Sequence, residues 1–257
     1  MSDDSRLTRY EVRDDVAYIT LDSPPVNILT MAIMDEITDH LNRAESDSSI
    51  KAIAFTAEGK AFSGGADIGE HRPEQVEGMI GAFGRLFRKL GALELPVVMA
   101  VNGAALGGGF ELVMMADVLL ATPEATFGQP EIRLGFFAPV GIVRLPELVG
   151  TARAIEITCS GKTYGAVELQ AMGMISQIVA EDDLSDALEA VLKDFRRSSP
   201  LILRMNVKTL KDLRGKDFIQ ALEDAENVFL NDLMATEEPI EGIASFYEKR
   251  RPEWKNR

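Results

Sequence analysis

Two glycine-rich turns and two glutamates carry the chemical content of this chain. The first turn is Ser63-Gly64-Gly65-Ala66-Asp67. The second stretch, Asn102-Gly103-Ala104-Ala105-Leu106-Gly107-Gly108-Gly109-Phe110-Glu111, sets three successive glycines before an acid. Phe127-Gly128-Gln129-Pro130-Glu131 adds the other acid. Consecutive glycines cost backbone entropy. Two gains offset that cost: a tight buried turn, or open N–H groups that a ligand approaches closely. A strand, a glycine turn and a helix start would aim those N–H groups, and the positive end of a helix dipole, at one point. Read alone, the run at 102–111 divides evenly between a plain buried turn and an anion site. Taken together, the two turns offer two converging N–H groups to one carbonyl oxygen. Two carboxylates beside them would move protons to and from carbon or water. That set suits enolate chemistry at a thioester, each donor being worth roughly 3–4 kcal/mol in the transition state by analogy with other oxyanion holes. Neighbouring like charges would push the two pKa values apart, giving one acid and one base.

Positioning these groups falls to an alternation of strands and helices. Leu7 to Leu21 reads as two short strands joined at Asp14-Asp15, with Ala17, Ile19 and Leu21 on one face of the second. Ser23-Pro24-Pro25 ends that hairpin, and Thr30 is placed to cap a helix carrying Met34, Ile37 and Leu41. Ile50 to Thr56 is a buried strand, and Val76, Ile80, Phe83, Phe87 and Leu90 form one helical stripe. The strand from Pro96 to Val101 leads into the second turn, and Leu112 to Ala116 continues it as a buried helix. Asp117 to Thr122 is the next strand, so the first two-thirds favours an α/β fold. Beyond Val179 the signals become helical, including a stripe of Phe218, Leu222, Ala225, Phe229 and Leu233. Ser198-Ser199-Pro200 is the best boundary, giving a core at 1–197 and a helical oligomerisation region at 198–257.

Bulk properties exclude several function classes. The 257 residues suffice for one sizeable core, and the formal net charge of −14 argues against nucleic acid or an anionic membrane as partner. The single cysteine, Cys159, forms no internal disulfide, and no Cys/His cluster has metal-ligand spacing. Met1-Ser2-Asp3-Asp4 opens no apolar leader and no run approaches a membrane span, so a cytoplasmic location is expected. A nucleotide site fits poorly. No Gly-x-Gly-x-x-Gly occurs, and Gly161-Lys162-Thr163 has Glu156 where a P-loop needs its first glycine.

Ala61 through Ile68, Asn102 through Glu111 and Phe127 through Gly135 resemble the three signature blocks of the crotonase (enoyl-CoA hydratase/isomerase) superfamily. The resemblance runs from Pro24 to the C-terminus. It implies a spiral of ββα units (the ClpP/crotonase-like fold) with a C-terminal helical region, assembled as a homotrimer or homohexamer. By the same resemblance, the backbone N–H groups of Ala66 and Gly108 form the oxyanion hole, and Glu111 and Glu131 are the two hydratase acids. Coenzyme contacts carry over to Lys60, Gly64, Ala66, Ile68, Phe246 and Lys249, the last two across a subunit boundary. Coenzyme A belongs to the substrate, so no separate cofactor and no metal is expected.

Two departures refine this. Hydratases of fatty-acid oxidation commonly follow the second glutamate with Pro-Gly-x-Gly-Gly. Here the chain reads Gly135-Phe136-Phe137-Ala138-Pro139-Val140-Gly141, with aromatics at the acyl wall. Gly69 stands where those enzymes often place a lysine. Pro25 to Leu29, Glu70-His71, the Phe136-Phe137 variant and the ending from Asp232 to Trp254 are most similar to the crotonases that hydrate a cyclic dienoyl-CoA, cyclohexa-1,5-diene-1-carbonyl-CoA. His71 would then line the acyl pocket. The expected activity is a hydro-lyase of the enoyl-CoA hydratase type. The alternatives are hydration of linear enoyl-CoA, and isomerisation using Glu131 alone.

Overall fold

The computed structural model describes residues 7–257; Met1 to Asp4, read above for a leader, lie outside them. Asp14 and Asp15, with φ of 48° and 63°, turn β1 (Thr8–Arg13) back onto β2 (Val16–Leu21) as an antiparallel hairpin. Short polar side chains make that left-handed turn tolerable. From β2 the chain crosses through α1 (Met31–Ser46) to β3 (Ala52–Ala57), which pairs in parallel with β2. Thr30 caps α1 as expected, its hydroxyl accepting from the Ile33 N–H at 3.3 Å.

The next elements are β4 (Ala61–Ser63), α2 (Val76–Ala92), β5 (Val97–Val101), β6 (Ala104–Leu106), α3 (Gly108–Val113), β7 (Val118–Ala121) and β8 (Thr126–Gly128). There follow α4 (Pro139–Val149), α5 (Thr151–Ser160), β9 (Thr163–Gly165), α6 (Ala166–Ala171) and β10 (Gln177–Ile178). Gly161 ends α5 in the left-handed conformation, so Gly161-Lys162-Thr163 is an ordinary turn. Four helices close the chain: α7 (Leu184–Arg196), α8 (Pro200–Asp212), α9 (Phe218–Asn231) and α10 (Glu238–Glu248).

Among the described residues, ten strands form two sheets, ordered β1-β2-β3-β5-β7-β10 and β4-β6-β8-β9. Strand alternation divides the apolar residues of the larger sheet between two cores. Ala17, Ile19, Ile53, Phe55 and Met99 face the main core, with α1 and α2. Val16, Tyr18, Ala54, Val98 and Ala100 face α7 through Leu184, Leu188 and Leu192. Burial on both faces is why β5 reads Val-Val-Met-Ala-Val, without a polar position.

The smaller sheet positions the site. β4, β6 and β8 run parallel in that order, so their C-terminal ends lie along one edge. Turns leaving Ser63, Leu106 and Gly128 are therefore neighbours, although their strands are far apart in sequence. Ligand sites in parallel sheets form at such carboxyl ends. Here the structure differs from the expectation that the strand at 96–101 leads straight into the glycine turn. Asn102 ends β5 by donating to the carbonyls of Ala57 (3.2 Å) and Gly59 (2.8 Å). Gly103 then passes so close to β4 that an added Cβ would sit 2.2 Å from the Lys60 carbonyl oxygen. The chain thereby switches sheets before reaching Gly107.

At the C-terminal side, α8 is tied to the core by two cations. Arg204 donates to the carbonyls of Glu45 and Asp47, and Lys211 to those of Leu90 and Leu93. The stripe expected on α9 forms, yet Phe218 and Phe229 are 73% and 53% exposed. Leu233 lies past the helix, in a 3-10 turn. Most of this face is left exposed, and only its end at Phe229 and Leu233 meets α8 and α10 around a shallow cavity. Among the described residues, no helix is long and apolar enough to cross a membrane.

Candidate active site

The first glycine turn is splinted by the segment 26–29. Gly64 N–H donates to Val26 O (2.7 Å), Leu29 N–H to Gly65 O (2.8 Å) and Asp67 N–H to Leu29 O (3.3 Å). Parallel pairing of this kind uses the groups on either side of Ala66 and passes over its own N–H. The Ala66 N–H accordingly has no protein acceptor among the described residues. In the second turn, Gly107 N–H is taken by Gly128 O at 2.9 Å, and Gly108 is the first residue of α3, where an N–H has no intrahelical partner. These two free donors are adjacent: a Cβ added to Gly108 would stand 3.1 Å from the Ala66 nitrogen. Closeness of the turns also accounts for Gly109, where a Cβ would meet the Ser63 side chain at 2.6 Å.

Gly107 has φ of 52°, and a Cβ there would lie 3.3 Å from Glu131 Oε1. A side chain at this position would be both strained and in the way of the acid. The even division between turn and anion site therefore resolves into a tight turn whose next N–H opens on a cavity.

Glu111 sits one turn into α3 and is only 2% exposed. Its Oε1 accepts from the N–H groups of Val140 (2.7 Å) and Gly141 (3.1 Å). Those are orphan donors in the first turn of α4, so the carboxyl serves as a remote cap. Burial pushes the Glu111 pKa up to about 7; the Gly141 N–H opposes the rise, Glu131 adds to it, and the Val140 N–H opposes it. Glu131, in the 3-10 turn Pro130–Leu134, is also raised, first by burial, against a backbone N–H and the charge of His71. Mutual repulsion is thus secondary. Burial raises both acids rather than driving one up and one down.

Gln129 is 1% exposed and faces Glu131. With its amide nitrogen toward the carboxylate it donates to Oε1 at 2.7 Å and to Oε2 at 2.9 Å; the opposite orientation would set acceptor against acceptor. Gln129 stands in the third sequence block, where an amide two residues before an acid carries no sign of its burial or its role.

A cavity of about 570 Å³ joins these groups. Gly64, Ala66, Ile68, Gly108, Glu111 and Glu131 all line it, as do His71, Phe136 and Phe137 on the apolar side. This volume falls in the range of small-molecule sites. Lys60, Phe246 and Lys249 are not brought to it. Lys60 precedes β4 and so lies at the far end of that strand from the turns. Phe246 is 77% exposed near the end of α10, and Lys249 caps that helix in the left-handed conformation. Among the described residues, no group of three His, Cys, Asp or Glu is arranged to hold a metal ion.

Comparison with known proteins agrees with this geometry. The family model described as enoyl-CoA hydratase/isomerase matches residues 11–257. The chain is 34% identical over 239 residues to the cyclohexa-1,5-dienecarbonyl-CoA hydratase of Thauera aromatica, covering 93% of this chain and 92% of the relative. It is 36% identical over 248 residues to a Mycobacterium bovis protein named "Probable enoyl-CoA hydratase echA8", covering 94% and 95%. Among solved structures, the enoyl-CoA hydratase of Mycobacterium smegmatis superposes with a TM-score of 0.90 at 28% identity, covering 97% of this chain and 99% of that one. That of Bacillus anthracis gives 0.93 at 26% identity, covering 98% and 100%. The spiral α/β fold implied by the sequence blocks is the fold observed.

Proposed function

The chain belongs to the enoyl-CoA hydratase/isomerase family, and on that premise we propose that it is a hydro-lyase adding water to a cyclic dienoyl-CoA, cyclohexa-1,5-diene-1-carbonyl-CoA. One observation carries the reading of the site: two free N–H groups, the buried Glu111 carboxyl and the half-buried Glu131 carboxyl converge on one cavity. The thioester oxygen accepts from the Ala66 and Gly108 N–H groups, which stabilise the enolate as it forms. Water sits between Glu111 and Glu131. One carboxylate takes its proton as the C–O bond forms; a pKa of about 7 suits Glu111 to exchange protons near neutral pH, and burial raises Glu131 in the same direction.

Support for the cyclic acyl group comes from the Thauera aromatica relative's name and from the wall of His71, Phe136 and Phe137. Flat aromatic surfaces suit a ring better than a flexible chain. The Mycobacterium bovis relative supports the alternative, a linear enoyl-CoA. A panel of cyclic and linear thioesters, followed by loss of conjugated absorbance, separates these readings. We expect the highest kcat/KM on the cyclic diene. Preference for a linear crotonyl thioester would move the substrate to the general class, and a double-bond shift without water uptake would identify an isomerase using Glu131 alone.

Gly64, Ala66 and Ile68 hold the coenzyme along the first turn; Lys60, at the opposite end of β4, meets it only beyond that cavity, and Phe246 and Lys249 reach its nucleotide end from a neighbouring subunit. On this proposal coenzyme A is part of the substrate, no separate cofactor is used, and the enzyme is cytoplasmic without nucleic-acid or membrane partners. Residues 198–257 form the oligomerisation region, supported by the uncovered apolar face of α9. Light scattering is expected to give the mass of three or six chains; a monomer would refute this assembly and leave the Phe246 and Lys249 contacts without a source.

A further inference from the structure

His71 is a third titratable group in the cavity, and the mechanism above does not use it. Its ring is held on two sides. Nδ1 lies 2.7 Å from the carbonyl oxygen of Asp67, the residue next to Ala66. A carbonyl only accepts, so Nδ1 carries a hydrogen in every protonation state, and only Nε2 gains or loses one. Asp67 is itself fixed, its Oδ1 accepting from the Gly69 N–H (2.6 Å) and the Glu70 N–H (3.2 Å) at the start of the 3-10 turn that ends in His71. On the other side the ring packs against Phe136, with centroids 5.1 Å apart at 55°. The imidazole thus stands between the turn carrying Ala66 and the loop carrying Glu131. Nε2 has no protein partner among the described residues.

We propose that His71 is a proton donor to the acyl group: Nε2, as the imidazolium, protonates the γ carbon of the dienolate formed when water adds to a cyclic dienoyl thioester. This rests on the substrate reading above. In a cyclohexa-1,5-diene-1-carbonyl thioester, the α carbon joins both double bonds. Hydroxide delivered to the β carbon of one pushes an electron pair onto the thioester oxygen. The resulting enolate is conjugated with the second double bond, so carbanion character appears at the α carbon and at the γ carbon, two bonds further round the ring. Protonation at γ leaves a double bond conjugated with the thioester; protonation at α does not. A simple enoyl thioester offers only the α carbon. The cyclic substrate therefore calls for a second donor, displaced from the oxyanion hole along the acyl ring, and His71, which lines the same cavity beside Phe136, is available for it. The balance closes on one water. A glutamate carboxylate takes its proton, the β carbon its hydroxyl, and the γ carbon the proton of His71. The protonated glutamate then recharges His71. Proximity suits that return, since the charge of His71 pulls the Glu131 pKa down.

His71→Asn is the discriminating variant, because its amide keeps an N–H near the position of Nδ1 for Asp67 O while removing Nε2. Wild type and H71N would be given the cyclic dienoyl-CoA and crotonyl-CoA in D2O, with the position of deuterium in the product read by NMR. We expect wild type to place deuterium at γ. In H71N, the ratio of cyclic to linear turnover should fall about 100-fold, with deuterium moving toward α. An unchanged ratio, or γ deuterium at wild-type rate in H71N, overturns the assignment; equal losses on both substrates would mark a structural role and also overturn it. Wild type that leaves the cyclic diene untouched refutes the substrate reading itself, and that is seen before any variant is made.

Discussion

Glu131→Gln is expected to lower hydration about 1,000-fold or more while leaving thioester binding close to wild type, and Glu111→Gln to do the same. Glutamine keeps the shape of each site. At position 111 its carbonyl oxygen still accepts from the Val140 and Gly141 N–H groups, so the start of α4 stays capped. At position 131 an amide oxygen still accepts from Gln129. What each variant loses is a proton acceptor or donor at the water. An interaction made only in the transition state lowers kcat and kcat/KM together, whereas KM reports the oxyanion donors and the apolar wall, which neither change touches. Full hydration by either variant would sink the two-acid mechanism. Retained double-bond shifting in E111Q, without water in the product, would instead support isomerisation through Glu131.

The residues of this mechanism were legible in the sequence because their signals are local. Gly107 to Glu111 announces a turn before a helix, and Thr30 and Asp14-Asp15 announce a cap and a hairpin from adjacent residues. What brings the turns together was not local. The strands at 61–63, 104–106 and 126–128 have three residues each, too short for a period of two to show, so the second sheet went unread. Two partners of the acids were missed for related reasons. The Val140 and Gly141 donors are backbone groups, which every residue possesses, and only the approach of α4 to α3 selects them. Gln129 is a common residue whose value comes from being buried while it faces Glu131. The family resemblance proposed Ala66 and Gly108 as donors. The structure shows why both N–H groups are unpaired: a splint that skips the N–H of one, and a helix start that leaves the other without an intrahelical acceptor. Exposure of Phe218 and Phe229 shows the opposite limit, since a stripe at helical spacing says that a face will be covered, not by what.

Glu111→Gln is also expected to stabilise the protein at alkaline pH, by up to about 3 kcal/mol, with little effect near pH 4.5. The Glu111 pKa rises from 4.5 to about 7 on folding, and each unit is worth about 1.4 kcal/mol. Between those two values the native state holds a proton that the unfolded chain has lost. Stability conferred by that proton is complete below about 4.5, declines as pH rises, and is gone above about 7. Burial is the first cause, so the native protein carries a desolvated carboxylate above that range as the condition of having an acid in its cavity. A glutamine pays no such penalty and keeps the hydrogen bonds to α4. Urea unfolding of wild type and E111Q at pH 5 and pH 8, at one protein concentration, checks this as a difference of differences, in which other titrating groups cancel. Glu131→Gln should show a smaller effect of the same sign, because its carboxyl is less buried and the charge of His71 opposes the rise. Were E111Q less stable than wild type at pH 8, the carboxylate would be favoured in the fold, and Glu111 would be held ionised instead of being poised to exchange a proton with water. Function and stability are therefore expected to part at this residue: the change that removes hydration strengthens the fold.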